Sequence, residues 1–224
     1  MSEISVAQAA DLMGVSPVRV RQLAASGAIS ARKVGNQWLV EPRSVRRVPP
    51  VTRPMARRTA WGLLELSAGR SPGWLDAHDR HRLRKQLSRL ADDPESARLA
   101  ASWLSRRAER LELRTAVQLP LDDRRLVPSG VSDPRAKISA PGFFEGYVHA
   151  DELDEVMADH ELVEAGSRPG NVVLHEAPLM PEPPLPLLAT VADLVEHGPG
   201  REYAVAQQLM EEVLSRDRAA PVQR

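Results

Sequence analysis

"GVSPVRVRQLAASGAISARKVGNQWLV", residues 14–40, carries a start or stop signal at each joint. Ser16 followed by Pro17 opens a helix, because the serine oxygen accepts free amide hydrogens and proline in the first turn gives up no needed donor. The spacing predicts a helix from Pro17 to Ser26 that turns Val20 and Leu23 inward and ends at Gly27. Upstream, Ser5 caps a first helix with Val6, Ala9, Ala10, Leu12 and Met13 on its apolar face, and Gly14 stops it. Two short helices joined by about three residues make a helix-turn-helix. Downstream, Gly35-Asn36 supplies the positive φ angles of a tight hairpin between residues 31–34 and 37–40, which predicts a two-stranded wing.

The side chains left facing outward have a common chemistry. On the second helix they are Ser16, Pro17, Val18, Arg19, Arg21 and Gln22. Arginine can hold the O6 and N7 of guanine with paired hydrogen bonds, and glutamine can pair similarly with adenine. Arg32, Lys33 and Gln37 on the wing, with Arg43 after it, suit phosphates or the adjacent minor groove. These ten residues point to double-stranded DNA. One small module binds weakly, so two copies are expected on paired half-sites, through a homodimer or cooperative neighbours.

The charge distribution agrees. The 224 residues carry no formal net charge, yet residues 1–70 hold eleven Lys/Arg against four Asp/Glu, and residues 126–224 hold seven against seventeen. A basic front suits a polyanion, and an acidic rear suits a basic protein partner. The absence of cysteine removes disulfides, thiolate nucleophiles and zinc-thiolate sites. No stretch reaches the roughly 20 apolar residues of a membrane span, and the start "MSEISVAQAADLMG" lacks the marks of an export signal. The expected location is the cytoplasm.

Beyond the wing, helical patterns run from Arg58 to Ser67, from Asp76 to Leu90 and from Pro94 to Leu111. A short helix over residues 151–159 and a strand over 171–177 follow, then helices at 187–196 and 202–216. The expected fold class is α+β and mainly helical: a winged helix-turn-helix at 1–45, a Pro/Arg-rich linker at 46–57, a helical middle at 58–125, an acidic mixed α/β domain at 126–216, and a tail at 217–224. In the acidic half the last two helices are the expected contact elements, with Glu202, Glu211 and Glu212 offered to a basic surface. The Leu209 and Val213 stripe fits self-association or core equally well.

Residues 4–45 resemble the winged helix-turn-helix of the excisionase and MerR-like group, with an alanine-rich first helix, Gly-Val-Ser-Pro, a Val-x-x-Leu recognition helix, a basic strand, Gly-x-x-Trp and Pro-Arg-Ser. Val18-Arg19-Val20-Arg21 departs from the group's usual small polar or tyrosine residues, so the preferred DNA sequence does not transfer. "ARRTAWGLLELSAGRSPGWL", "LVPSG", "GYVHADELDEVMADHELV", "GNVVLHEA" and "VADLVEHGPGREYAVAQQLMEEVL" together are similar to AbiEi-type antitoxins of type IV toxin-antitoxin systems. That resemblance implies a repressor of its own promoter and a nucleotidyltransferase-like toxin as partner. An effector-responsive regulator and an excisionase-like architectural factor are the alternatives.

Other constellations fall short of chemistry. Asp133 in "SGVSDPR" has Arg135 where a nucleotidyltransferase would need a second metal-binding acid. His78 and His81, beside Asp76 and Asp79, have no further ligand segment to complete a metal site. His149, His160, His175 and His197 are scattered singly, and "GPGREY" reads as an interhelical turn. No catalytic set, metal or cofactor is expected.

Overall fold

The computed structural model describes residues 3–13, 15–25, 29–35, 37–42, 53–117, 119–120, 123–180 and 183–219, with side chains to 216. The chain separates into two compact units, Met1–Thr52 and Arg53–Arg224.

In the first unit, strand β1 (Ile4–Ser5) leads into helix α1 (Val6–Met13), followed by α2 (Pro17–Ala25), β2 (Ala31–Val34) and β3 (Gln37–Val40). Ser5 Oγ accepts from the Gln8 amide at 3.2 Å while Gln8 Oε1 accepts from the Ser5 amide at 2.9 Å, a reciprocal cap that fixes where α1 begins. Ser16 Oγ receives the Arg19 amide at 3.3 Å and does the same for α2. Ala9, Ala10, Met13, Val20, Ala24, Ile29 and Val40 form the core, where the alanines let the helices approach closely. The wing has three strands rather than the expected two: β1 pairs antiparallel with β3, Ile4 opposite Val40, and β3 lies between β1 and β2. Gly35 has φ +57°, which the two-residue hairpin requires. Leu12, expected on the apolar face, is 56% exposed, because α1 packs through Ala9, Ala10 and Met13. The expected stops at Gly14 and Gly27, Asn36 of the hairpin, residues 43–45 at the end of the expected winged helix and residues 46–52 of the expected linker lie outside the described residues.

The second unit opens with α3 (Arg57–Ser67), α4 (Ala77–Asp92) and α5 (Ser96–Leu104). The helix expected to reach Leu111 ends at Leu104, and Glu109–Arg114 is instead strand β4. Leu111 and Leu113 satisfy a two-residue repeat as well as a helical one, and pairing with two neighbouring strands decides between them. Strands β5 (Val127–Pro128), β6 (Phe144–His149), β7 (Val163–Glu164) and β8 (Val172–Ala177) complete a sheet in the order β5-β6-β8-β4-β7, with β6 and β8 parallel and the other pairs antiparallel. Helix α6 (Leu153–Asp159) links β6 to β7, and α7 (Leu187–Glu196) and α8 (Arg201–Ala219) close the chain.

The sheet has a core on each side. One face packs Leu113, Phe144, Val148, Val172 and Leu174 against Val156 and Leu162. The other joins Tyr147 and Ala177 to Trp61, Leu87, Trp103, Leu188 and Met210 from the helices. Residues 58–125 and 126–216, read from the sequence as separate domains, thus contribute to a common core within a single unit. Every residue of α7 from Leu187 to Leu194 is buried, so this helix is not the contact surface expected of it. Leu209 and Val213 of α8 are likewise core, which leaves Glu211 and Glu212 exposed and Glu202 half-buried beside Arg201.

Candidate nucleic-acid interface

Helix α2 divides its residues sharply. Val20 and Ala24 are buried, whereas Ser16, Pro17, Val18, Arg19, Arg21 and Gln22 are exposed. Three features set this face: the serine cap fixes the helix start, Val20 and Ala24, four apart, anchor it to α1, and the intervening positions turn outward. Val18 is 59% exposed between Pro17 and Arg19, an apolar side chain held in water. Arg19 Nη1 lies 3.5 Å from Gln22 Oε1, so the two side chains share one end of the face. Arg21 has no partner among the described residues.

On the wing, Arg32, Lys33 and Gln37 are exposed, and Trp38 and Val40 turn inward. Arg32 is held by Glu3: its Nε and Nη2 donate to the two carboxylate oxygens at 2.8 and 2.7 Å. The hydrogen bond to Arg32 draws the Glu3 carboxyl below its ordinary range and raises the guanidinium. Arg32, expected to meet phosphate or the minor groove, is thus paired with a carboxylate twenty-nine residues away in the chain. Lys33 has no such partner among the described residues. Arg43, the remaining predicted contact, lies outside the described residues.

Residues 3–48 match a known family described as a helix-turn-helix domain. No curated protein and no solved structure matches the chain. The match, the paired helices and the exposed basic face together define the first unit as a helix-turn-helix domain, a DNA-binding module of regulatory proteins. No helix among the described residues is long and apolar enough to cross a membrane.

The second unit holds a polar network inside its core that the sequence reading missed. Arg107, 2% exposed, donates from Nε to the Tyr147 hydroxyl at 2.5 Å, from Nη1 to Glu196 at 2.8 Å, and from Nη2 to Asp193. Asp193 also receives the Ser129 hydroxyl and, at 3.0 Å, the Tyr147 hydroxyl. Burial alone would lower the guanidinium, but Tyr147, Asp193 and Glu196 outweigh it and raise Arg107 well above its ordinary value. Alongside, buried Glu145 accepts from His175 at 3.2 Å, from His197 at 2.7 Å and from the Val131 amide at 3.1 Å. Burial pushes the Glu145 carboxyl up, yet the two histidines prevail and hold it at about 2, while the same contact raises His197.

His175, Asp193 and Glu196 converge closely enough to suggest metal ligands, but Arg107 already places its positive charge on both carboxylates. Asp76, His78 and Asp79 also converge, on the exposed start of α4, where Asp76 is engaged as the helix cap. His81 does not join them. Asp133 is occupied by Arg135 and by the Thr190 hydroxyl at 2.6 Å.

Proposed function

We propose that this chain is a sequence-specific transcriptional repressor, the autoregulating antitoxin of a toxin-antitoxin pair, acting in the cytoplasm by occupying its own promoter and without a catalytic step. The observation that carries the DNA-binding part is the outward face of α2, where two arginines, a glutamine and a valine surround the buried Val20. Arginine and glutamine read base edges, valine fits a thymine methyl, and the wing cations meet phosphate. Two copies on paired half-sites give the affinity that one module lacks. The antitoxin part rests on the resemblance of residues 56–216 to AbiEi-type proteins and on the acidic charge of residues 126–224. A nucleotidyltransferase-like toxin encoded next door is the partner this reading names.

Footprinting of the intact protein on the DNA upstream of its own gene tests the repressor reading. Protection of two similar half-sites, lost in a variant lacking residues 1–52, is expected. The reading fails if no genomic segment is protected at moderate salt. Co-expression with the adjacent gene tests the antitoxin reading, and growth that the chain does not restore removes it.

A further inference from the structure

We propose that the second unit carries a binding site for a small amphipathic carboxylate, in the cleft at the end of the sheet where β6 and β8 begin and β4 ends. The cleft has a volume of about 750 Å³, within the range of small-molecule sites. Its apolar walls include Val131, Ile138, Phe143, Phe144 and Val172, which form a lining that suits an aromatic or alkyl body.

The polar side chains on the wall decide the other end of the ligand. Thr115 donates to the His160 carbonyl and accepts from Val117, and Asn171 spends both its oxygen and its amide nitrogen on the backbone of Thr115. Asp133 is taken by Arg135 and Thr190. Ser132 Oγ accepts the Glu145 amide at 2.9 Å, so its hydroxyl hydrogen has no acceptor among the described residues. Lys137 is exposed and has no partner among them either. Each side-chain carboxylate or amide oxygen on the wall is therefore engaged, while donors remain on Ser132 Oγ, on the second Nδ2 hydrogen of Asn171 and on Lys137, the last of them cationic. Such a wall selects an acceptor bearing negative charge, and an uncharged or cationic head group gains little there.

The cleft wall is also firmly held. The segment from Ser129 to Val131 is tied to Asp193 through the Ser129 hydroxyl and to Glu145 through the Val131 amide. Gly130 has φ +51°, and a Cβ placed there would overlap the Glu145 carboxylate, so that carboxylate fixes the turn that forms the wall. A site formed in advance loses little on ordering when a ligand enters.

Titration calorimetry of the full chain with 4-phenylbutyrate and with octanoate, against 4-phenylbutan-1-ol as the uncharged counterpart, tests the proposal. Saturable binding of at least one acid, tighter than the alcohol, is expected. Lys137→Gln, a surface change whose fold is checked by circular dichroism, should weaken the acid about fivefold or more and leave the alcohol unchanged. Ile138→Trp, which fills the cleft, should abolish binding of both. Failure of both acids to saturate, equal affinity for acid and alcohol, or an unchanged affinity in Lys137→Gln would each overturn the proposal. None of these outcomes bears on the DNA reading, which concerns the first unit.

Discussion

Salt dependence separates the cations that read bases from those that hold phosphate, and the described DNA face makes the separation numerical. Three cations without an acidic partner among the described residues lie on it, Arg19 and Arg21 on α2 and Lys33 on the wing, because Arg32 is held by Glu3. If all three neutralise phosphates, the logarithm of affinity falls with the logarithm of salt at a slope of about −2.7, or roughly 40-fold between 50 and 200 mM. If the helix arginines instead sit on base edges, the slope from these residues is about −0.9, or roughly 3.5-fold. Arg21→Ala should then cost about 1 to 3 kcal/mol on the cognate site, leave binding to random DNA unchanged, and leave the slope unchanged. Lys33→Ala should weaken cognate and random DNA alike and reduce the slope by about 0.9. Fluorescence anisotropy at four or five salt concentrations with the selected operator and a scrambled duplex reads all of these. An Arg21→Ala variant that loses equally on both duplexes, with a slope reduced by about 0.9, refutes the assignment of Arg21 to base reading.

Val18→Ala should lose about fourfold in affinity, and replacing one operator thymine with uracil should cost the wild type the same but cost the variant nothing further; a wild type indifferent to every such replacement removes the methyl contact. Arg107→Met should lower stability of the second unit by about 3 to 5 kcal/mol, because Asp193 is left charged in the core, and adding Asp193→Asn should recover part of the loss. Urea unfolding followed by tryptophan emission reports this, since the Trp61 indole donates to the Arg107 carbonyl at 2.9 Å; additive losses in the double variant contradict it. Glu145 has its carboxyl lowered to about 2 from an ordinary 4.5, so it contributes about 3 kcal/mol that is present above pH 4.5 and lost as the pH falls from there toward 2. His197 is raised, so its share is present below its ordinary value of 6.5 and lost as the pH rises through the folded value. Glu145→Gln should flatten the acid limb of the stability profile, and an unaltered limb contradicts the pairing.

Local signals carried the first unit. Ser5, the Ser16-Pro17 start and the Gly35 turn each act over three or four residues, so the sequence alone places α1, α2 and the β2-β3 hairpin where they occur. Strand β1 was not legible, because two residues of strand have no periodicity and exist only by pairing with β3. The same limit applies in the second unit. "FEGYVH" interrupts its apolar pattern with Glu145 and Gly146, which hides β6; the glutamate is tolerated there only because His175 and His197, thirty and fifty-two residues away, meet it. Histidines that look scattered in the chain thus converge on one carboxylate. On the DNA face, residue identity and helix phase were enough to name the outward set, whereas the hold of Glu3 on Arg32 depends on how β1 lies against β3.

Among the described residues, seven buried side chains, three of them alanines, form the first unit's core. So small a volume of methyl groups leaves a narrow margin between the ordered module and its molten alternatives. A duplex that recognises the ordered form alone shifts that balance by mass action. On the proposed reading, promoter occupancy and resistance to proteolytic turnover then rise together, and the number of operator copies in a cell helps set how long each molecule survives.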